Sequence, residues 1–408
     1  MESMKHELPV TIEEAHEPGA LSALSPSLEA IAAAMTAAGQ TKGPFLTPDW
    51  TAITAAALAD PRDRDRLGDF RLLVGRHGGA VVAALPLVAE RLRRPIAGVP
   101  ARILRSLTDY HSYRFDLWLD PGPAGDAAAR ALIAHLGQRG DWDAFELWPA
   151  PACDAAATRL VAAAREARMP VGDWQLMISP YLPLPSSADE LDRQLSSKFR
   201  GNLRRRARKL EADVGPLALE RIDGRDAFAD AAAVDSANLD AALDEGFALE
   251  AAGWKGALGS AIACDPRLRA RYRALAHAFA ARGRLACYFL KAGSRRVAFH
   301  FALVDDDTYY LLKPGFDPAL ASYGLGHLLV DAVARDLITL GIRELDFLGE
   351  DMPWKREWTD HTRAHRFGCV FAPTLRGRAL AAWKLRFVPG AKRLAPRIGA
   401  LISRMHRR

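Results

Sequence analysis

TYYLLKPGFDPALASYGLGHLLVDAVARDL, residues 308–337, is the stretch that decides the fold. It runs from an apolar strand through a Pro/Gly turn to Tyr323-Gly324-Leu325-Gly326 at the start of a helix. Glycines there let the backbone approach a ligand closely, and the first free amides of a helix point outward. Those amides and the helix dipole favour an anion such as a pyrophosphate. The segment is not a dinucleotide fingerprint, because the third glycine is missing, and no P-loop Lys-Ser/Thr follows. An ordinary turn before a helix reads the same way, so the surrounding sequence has to decide.

Before this stretch, LACYFLKAGSRRVAFHFALV (285–304) reads as strand, Lys-Ala-Gly-Ser turn and strand. After it, the helix of GHLLVDAVARDLITLG ends at Gly341, a common C-terminal cap position, and IRELDFLG (342–349) is a further strand. The first half repeats the order. RLLVGRHGGAVVAALPLV (71–88) is a hairpin around His-Gly-Gly, AAARALIAHLGQRG (127–140) a helix and DAFELWP (143–149) a strand. Hairpin, helix and strand occur twice, which predicts two related α/β units in tandem, each a mixed central sheet flanked by helices.

The expected divisions are an N-terminal segment 1–44 with an Ala-rich helix at 27–39, a first unit 45–185, a second unit 186–375 and a tail 376–408. The join is placed in YLPLPSSADE (181–190), where two prolines and a Ser pair precede a basic helix. That helix, SSKFRGNLRRRARKLEAD (196–213), carries seven Lys or Arg between Lys198 and Lys209. Leu195, Phe199, Leu203, Ala207 and Leu210 form its apolar stripe.

Composition bounds the function. Half of the 408 residues are apolar and 25% are charged, ordinary for a globular protein of about two domains. No acidic residue follows Asp360, whereas twelve Lys or Arg do; subtracting these from the net +6 leaves −6 for residues 1–360. A mildly acidic body argues against general nucleic-acid binding. Cys153, Cys264, Cys287 and Cys369 form no C-x-x-C pair, so neither a zinc site nor a disulfide framework is indicated, and a cytoplasmic setting is expected. The N-terminus is too polar for a signal peptide, and no uninterrupted apolar run approaches 18 residues. The tail, LAAWKLRFVPGAKRLAPRIGALISRMHRR (380–408), mixes apolar and basic residues; it reads equally as a helix packed on the body or as a peripheral contact with the anionic inner membrane.

The order of strand, hairpin, glycine loop, helix and strand resembles the core of the GNAT acyltransferases. Their loop, Arg/Gln-x-x-Gly-x-Gly/Ala, cradles the pyrophosphate of acyl-coenzyme A; Gly324 and Gly326 match its small positions, and Ala321 stands where Arg or Gln is usual. Lys198-Phe199-Arg200-x-Asn202-Leu203-Arg204-Arg205, Gly315-Phe316-Asp317-Pro318, the Gly-x-Gly loop and Asp346-Phe347-Leu348-Gly349 followed by Trp354-Lys355-x-x-Trp358 resemble the CelD/BcsL-type acetyltransferases linked to cellulose and exopolysaccharide production. A tandem pair of GNAT-like units is also the architecture of the Fem-type peptidoglycan aminoacyltransferases.

The resemblance implies a transferase moving an acetyl or other acyl group from acyl-CoA to an amine or sugar hydroxyl, with no metal. It places the donor along the strand and loop: Leu312, Lys313, Tyr323, Gly324, Leu325, Gly326 and His327. A Fem-like enzyme using aminoacyl-tRNA and a non-catalytic GNAT-like binding module are the alternatives. Amine acylation needs a base and a group that stabilises the oxyanion and leaving thiolate. Glu350 and Asp351 are candidates for the base, because adjacent carboxylates can raise one another's pKa; a solvated acidic turn is the plain reading. Lys355 and Tyr310 are candidates for the charge-stabilising role, and only one of Tyr309 and Tyr310 can face the cleft. Lys198, Arg200, Asn202, Asp317, Asp346 and Trp354 are candidates for acceptor or phosphate contacts, Asp346 equally for bracing a loop. Asp109, Tyr110 and His111 are candidate lining residues from the first unit. His300 reads as a half-buried core histidine before a base, and His361 and His365, four apart, make a poor metal site.

Overall fold

The structure is a computed structural model of the chain and describes residues 9–40, 43–59, 68–90, 95–96, 99–109, 111, 114–152, 155–223 and 236–387. Two compact units emerge, the first comprising 1–41, 46–176 and 365–408 and the second 42–45 and 177–364. The sequence had suggested divisions at 185/186 and 375/376.

The first unit is built on strands β1 (Val10–Ala15), β2 (Gly68–His77), β3 (Ala80–Glu90), β4 (Ile103–Ser106) and β5 (Ala144–Pro151). β1 to β4 are antiparallel in that order, β4 and β5 are parallel, and residues 365–371 add antiparallel to β5. The β2–β3 hairpin turns on Gly78 and Gly79, with φ of +57° and +86°, values that glycine reaches without strain. The crossover between the parallel strands carries helix α2 (Pro123–Gln138), as a parallel connection requires. Helix α1 spans Ala20–Ala37, starting seven residues before the Ala-rich core expected from sequence and running through Pro26. By length and composition α1 could cross a membrane; here Leu21, Leu28, Ile31 and Met35 are buried in the core of this unit.

The second unit repeats that order. β7 (Leu217–Asp223), β8 (Leu285–Ala292), β9 (Arg295–Asp305) and β10 (Thr308–Phe316) are antiparallel neighbours. β10 and β11 (Glu344–Asp346) are parallel across helix α6 (Leu325–Thr339), and the end of β6 (Val171–Pro183) adds antiparallel to β11. The two sheets therefore share one pairing pattern, strand for strand, so the fold class is the tandem GNAT-like α/β arrangement expected from sequence. Their last strands are exchanged in sequence. Residues 181–183, which follow the first unit, complete the second sheet, and residues 365–371 of β12 (Thr362–Phe371), which follow the second unit, complete the first. Local patterning carries no information about such pairings.

Within the second unit, side-chain alternation sorts two faces. Ala298, Ala302, Tyr309 and Leu311 join the core under α6 and helix α3 (Ser197–Asp213). The opposite face carries Phe299 and Phe301, covered by α4 (Ser236–Ala251) and α5 (Pro266–Ala281). α4 lies close enough that a Cβ at Gly246 would fall 2.5 Å from the Phe299 ring, and one at Gly315 would fall 2.6 Å from the Glu250 backbone.

α3 confirms the amphipathic reading of the basic run. Ser196 caps it by accepting the Phe199 amide at 3.2 Å, and Phe199, Leu203 and Leu210 are buried. Of the tail, residues 375–387 are helical and 388–408 lie outside the described residues, as do Tyr110 and Cys153.

Candidate active site

Pairing between β10 and β11 lasts only three residues, from Thr308–Glu344 to Tyr310–Asp346. Beyond that point the two strands part company. β10 continues to Phe316 along β9, with a bulge that leaves Leu312 opposite no residue. The chain after β11 stays with β6 instead, the Phe347 amide bonding Pro180 O at 3.3 Å and Ser179 Oγ donating to Gly349 O at 2.6 Å. Beyond Tyr310–Asp346 no ladder joins β10 to residues 347–350, which leaves a wedge between the two backbones flanked by the buried Leu311, Leu312, Phe347 and Leu348.

The glycine loop lies where β10 runs into α6. Gly324 has φ +66° and ψ 43°, caps α6 in the left-handed region, and its carbonyl accepts the amides of both His327 (3.0 Å) and Leu328 (3.2 Å). The amides of Leu325 and Gly326 head the helix with no acceptor among the described residues. A Cβ at Gly326 would meet nothing nearer than the Phe316 ring at 4.0 Å, so the loop is open on that side. The equivalent helix start in the first unit is filled by its own chain. Gly122 precedes α2, its amide bonds Asp120 Oδ1 at 2.8 Å, and a Cβ at Gly125 would lie 1.9 Å from the Asp120 carbonyl. An acidic side chain at the mouth of that helix repels an anion.

The 346–350 turn is tightly held. Asp346 is fully buried; Oδ1 accepts the Leu348 amide at 2.8 Å and Oδ2 accepts Arg363 Nη1 at 2.7 Å. Leu348 and Gly349 both have positive φ, +49° and +59°, which ends the strand at Asp346 rather than at Gly349 as the sequence suggested. The buried Lys355 ammonium donates to Leu348 O and to Glu350 O. Its donors point at backbone, so Lys355 positions this turn. Asp346 likewise braces the turn.

Burial lowers the Lys355 pKa to about 8, with Asp346, Asp351 and Glu350 opposing the shift. A lysine that is depressed on folding releases its proton in the folded state first. Between about pH 8 and 10.5 the unfolded chain therefore binds more protons, and this group's contribution to stability rises with pH by about 3 kcal/mol. Urea unfolding of the unaltered protein and Lys355→Met at pH 7.5 and 10.5 measures it: the unaltered protein should gain about that amount relative to the variant. A constant difference would mean that the ammonium keeps its ordinary affinity for the proton in the fold.

The remaining candidates sort clearly. Asp351 holds Arg356 through two bonds of 2.7 and 2.8 Å, and that guanidinium keeps its carboxyl below the usual range, so the expected mutual raising with Glu350 does not make Asp351 a base. The Glu350 side chain is exposed and makes no hydrogen bond or ion pair among the described residues. Tyr310 faces away from α6, 1% exposed beneath Phe45 at 5.7 Å ring separation. Lys313 is buried with its ammonium 5.7 Å from the Tyr272 ring, on the α5 side. Tyr323 donates to Asp213 at 2.7 Å, and Asp317 caps the turn before the loop and pairs with Arg295 at 2.9 Å. His300 is buried, its pKa lowered to about 3 by burial, with Nδ1 3.3 Å from the Tyr309 hydroxyl; it is a neutral core histidine. His361 and His365 flank the start of β12 and share no helical face. Among the described residues no group of three metal-ligating side chains is found. In the first unit Asp109 accepts the His111 amide at 2.9 Å.

Next to the α6 start lies a cleft of about 660 Å³ that sequence reasoning located only in part. Lys198, Asn202, Arg356, Glu357, Asp360 and His361 supply its polar lining, with Phe199 and Trp358 as apolar wall. Arg200 does not line it, and Trp354 packs edge-on against Phe347 at 5.3 Å. Trp358 connects the cleft to the loop. Its indole N–H donates to His327 Nδ1 at 3.1 Å, which places the histidine proton on Nε2, 3.0 Å from Glu357 Oε2. Burial depresses the His327 pKa, keeping the ring neutral. Glu357 was overlooked in the sequence because it sits between the two tryptophans of the motif, where only its spatial partner His327 distinguishes it from a surface carboxylate.

Residues 197–356 match the family model described as acetyltransferase (GNAT) domain. Among solved structures, FemX is similar at TM-score 0.52 and 10% identity, over 87% of this chain and 96% of that one. The L-PGS of Bacillus licheniformis (TM-score 0.48, 9% identity, 90% and 97% covered) and a tandem GNAT protein from the clavulanic acid biosynthesis pathway (0.44, 15%, 90% and 99%) also align. At 10% identity the likeness to FemX is one of fold alone. No curated protein matches the chain.

Proposed function

The stretch that matches the acetyltransferase (GNAT) domain, residues 197–356, contains both the wedge and the glycine-headed helix, and from this premise we propose that the second unit transfers an acetyl or other acyl group from acyl-CoA to an amine or sugar hydroxyl. The observation that carries the proposal is the parting of β10 and β11 beyond Tyr310–Asp346, with the unpaired amides of Leu325 and Gly326 at the neighbouring helix start. The diphosphate of the donor meets those amides, and the pantetheine arm enters the wedge along the bulge at Leu312. The acceptor enters the cleft beside Trp358. Its nitrogen or oxygen attacks the thioester carbon, the new bond forming as the C–S bond breaks, and the thiolate leaves with the electron pair. Glu357, oriented by the neutral His327, takes the proton that the nucleophile loses. Lys198, whose ammonium has no partner among the described residues, and Asp360, whose carbonyl accepts Arg356 Nη1 at 3.2 Å, give the cleft both signs of charge, which suits a polar acceptor carrying an amine, as in envelope or exopolysaccharide metabolism of the CelD/BcsL kind.

Incubation with labelled acetyl-CoA and cell-envelope extract tests this directly. The label should appear on an amine or sugar product, and Glu357→Gln should slow its appearance about 100-fold or more. A second donor has one observation in its favour: Lys198 and Arg208 of α3 have no anionic partner among the described residues, as would suit a polyanion. Labelling from aminoacyl-tRNA and none from acetyl-CoA would establish that donor instead.

A further inference from the structure

A diphosphate brings about two negative charges, and a helix start offers roughly half a positive one. The loop itself contributes no cation. Residues 321–327 are Ala-Ser-Tyr-Gly-Leu-Gly-His; the Tyr323 hydroxyl is taken by Asp213, and the His327 ring accepts Trp358 at Nδ1 and has Glu357 Oε2 3.0 Å from Nε2. Ala321 occupies the position at which the loop motif carries Arg or Gln.

The missing charge comes from another element. Arg206 of α3 lies against Gly324, so that a Cβ on that glycine would stand 2.7 Å from Nη1 and 3.2 Å from Cζ. Its guanidinium has no hydrogen bond or ion pair among the described residues. The neighbouring cations are committed or turned away: Arg204 pairs with Asp192 at 2.9 Å, Arg205 reaches Asn202, Lys209 lies over the Tyr323 ring at 5.5 Å, and Arg208 is exposed. The spacing 199, 203, 206, 210 puts Arg206 on the docked side of the helix, in line with three buried residues. A half-buried guanidinium held against a glycine backbone, with no anion of its own, is poised for one that arrives.

Resting on the acyl-CoA reading above, we propose that Arg206 is the cation that binds the donor diphosphate, supplying from α3 the charge that Ala321 withholds from the loop. The planar fork can give two parallel N–H···O bonds to phosphate oxygens while the Leu325 and Gly326 amides hold the other side. The absence of a side chain at 324 is what admits it.

Calorimetric titration with acetyl-CoA and with S-acetylpantetheine, which lacks the diphosphate, tests the assignment. Arg206→Ala should raise the Kd for acetyl-CoA about 10- to 100-fold and leave that for acetylpantetheine unchanged. Arg206→Lys should recover part of the loss, and Ala321→Arg added to Arg206→Ala should recover more. Because Arg206 has no partner to lose, the melting temperature should stay within about 2 °C. An acetyl-CoA Kd within about twofold of the unaltered protein, or equal losses for both ligands, overturns the role of Arg206 while leaving the donor intact. No binding of either ligand by the unaltered protein overturns the donor reading itself, and this role with it.

Discussion

Gly326→Leu should leave the fold intact and weaken acetyl-CoA binding about 100-fold or more. The position is helical, its φ is not left-handed, and the nearest atom to an added Cβ is 4.0 Å away, so the protein itself accommodates the new side chain. Glycine inside a helix costs about 0.5–1 kcal/mol relative to a good helix former, so stability should hold or rise slightly. A ligand has no such freedom. The branched side chain would occupy the space in which phosphate oxygens approach the Leu325 and Gly326 amides, removing two charge-assisted bonds and adding a clash. Titration of the variant, with its melting curve as control, checks both halves of the expectation. Undiminished binding would move the diphosphate away from this loop.

Asp346→Ala should destabilise the protein by about 1–3 kcal/mol, the cost of leaving the buried Leu348 amide without its acceptor, since Arg363 keeps Glu344 at 3.0 Å. The carboxylate is fully buried and serves both the Leu348 amide and Arg363. Leu348 holds a left-handed conformation, which for a side chain bearing Cβ costs about 1–2 kcal/mol and persists only where neighbours impose it. Asp346, Lys355 and Ser179 impose it here, through Leu348 N, Leu348 O and Gly349 O. Asp346→Asn should cost less, since an amide oxygen can still accept from Leu348. Urea midpoints of the two variants measure the order, and a loss under about 1 kcal/mol for the alanine variant would show that the turn is held by other means.

Much of this was legible in the sequence because the signals are local. Alternation and the glycine turns at 78–79 and 293 gave both hairpins, and the 3.6-residue stripe gave α3. The Gly324–Gly326 loop was legible because left-handed geometry at a helix start calls for glycine. What escaped depends on partners distant in sequence. The exchange of residues 181–183 and 365–371 between sheets is a matter of pairing alone. Asp351 read as a base candidate until Arg356 was seen to hold it. Arg206 was hidden among seven like charges, although its place on the apolar side of the stripe singles it out once α3 is docked. Glu357 became a candidate base only through His327, thirty residues earlier in α6.

The central claim is that the donor diphosphate sits on the α6 start of the second unit. Hydrogen exchange of the backbone amides, measured with and without saturating acetyl-CoA, tests it most directly. The amides of Leu325 and Gly326, unpaired in the chain, should exchange fast alone and slow at least about tenfold with ligand, while those of 122–126 in the first unit remain unchanged. Binding that leaves 325 and 326 unprotected, or protects the first unit instead, would contradict the assignment.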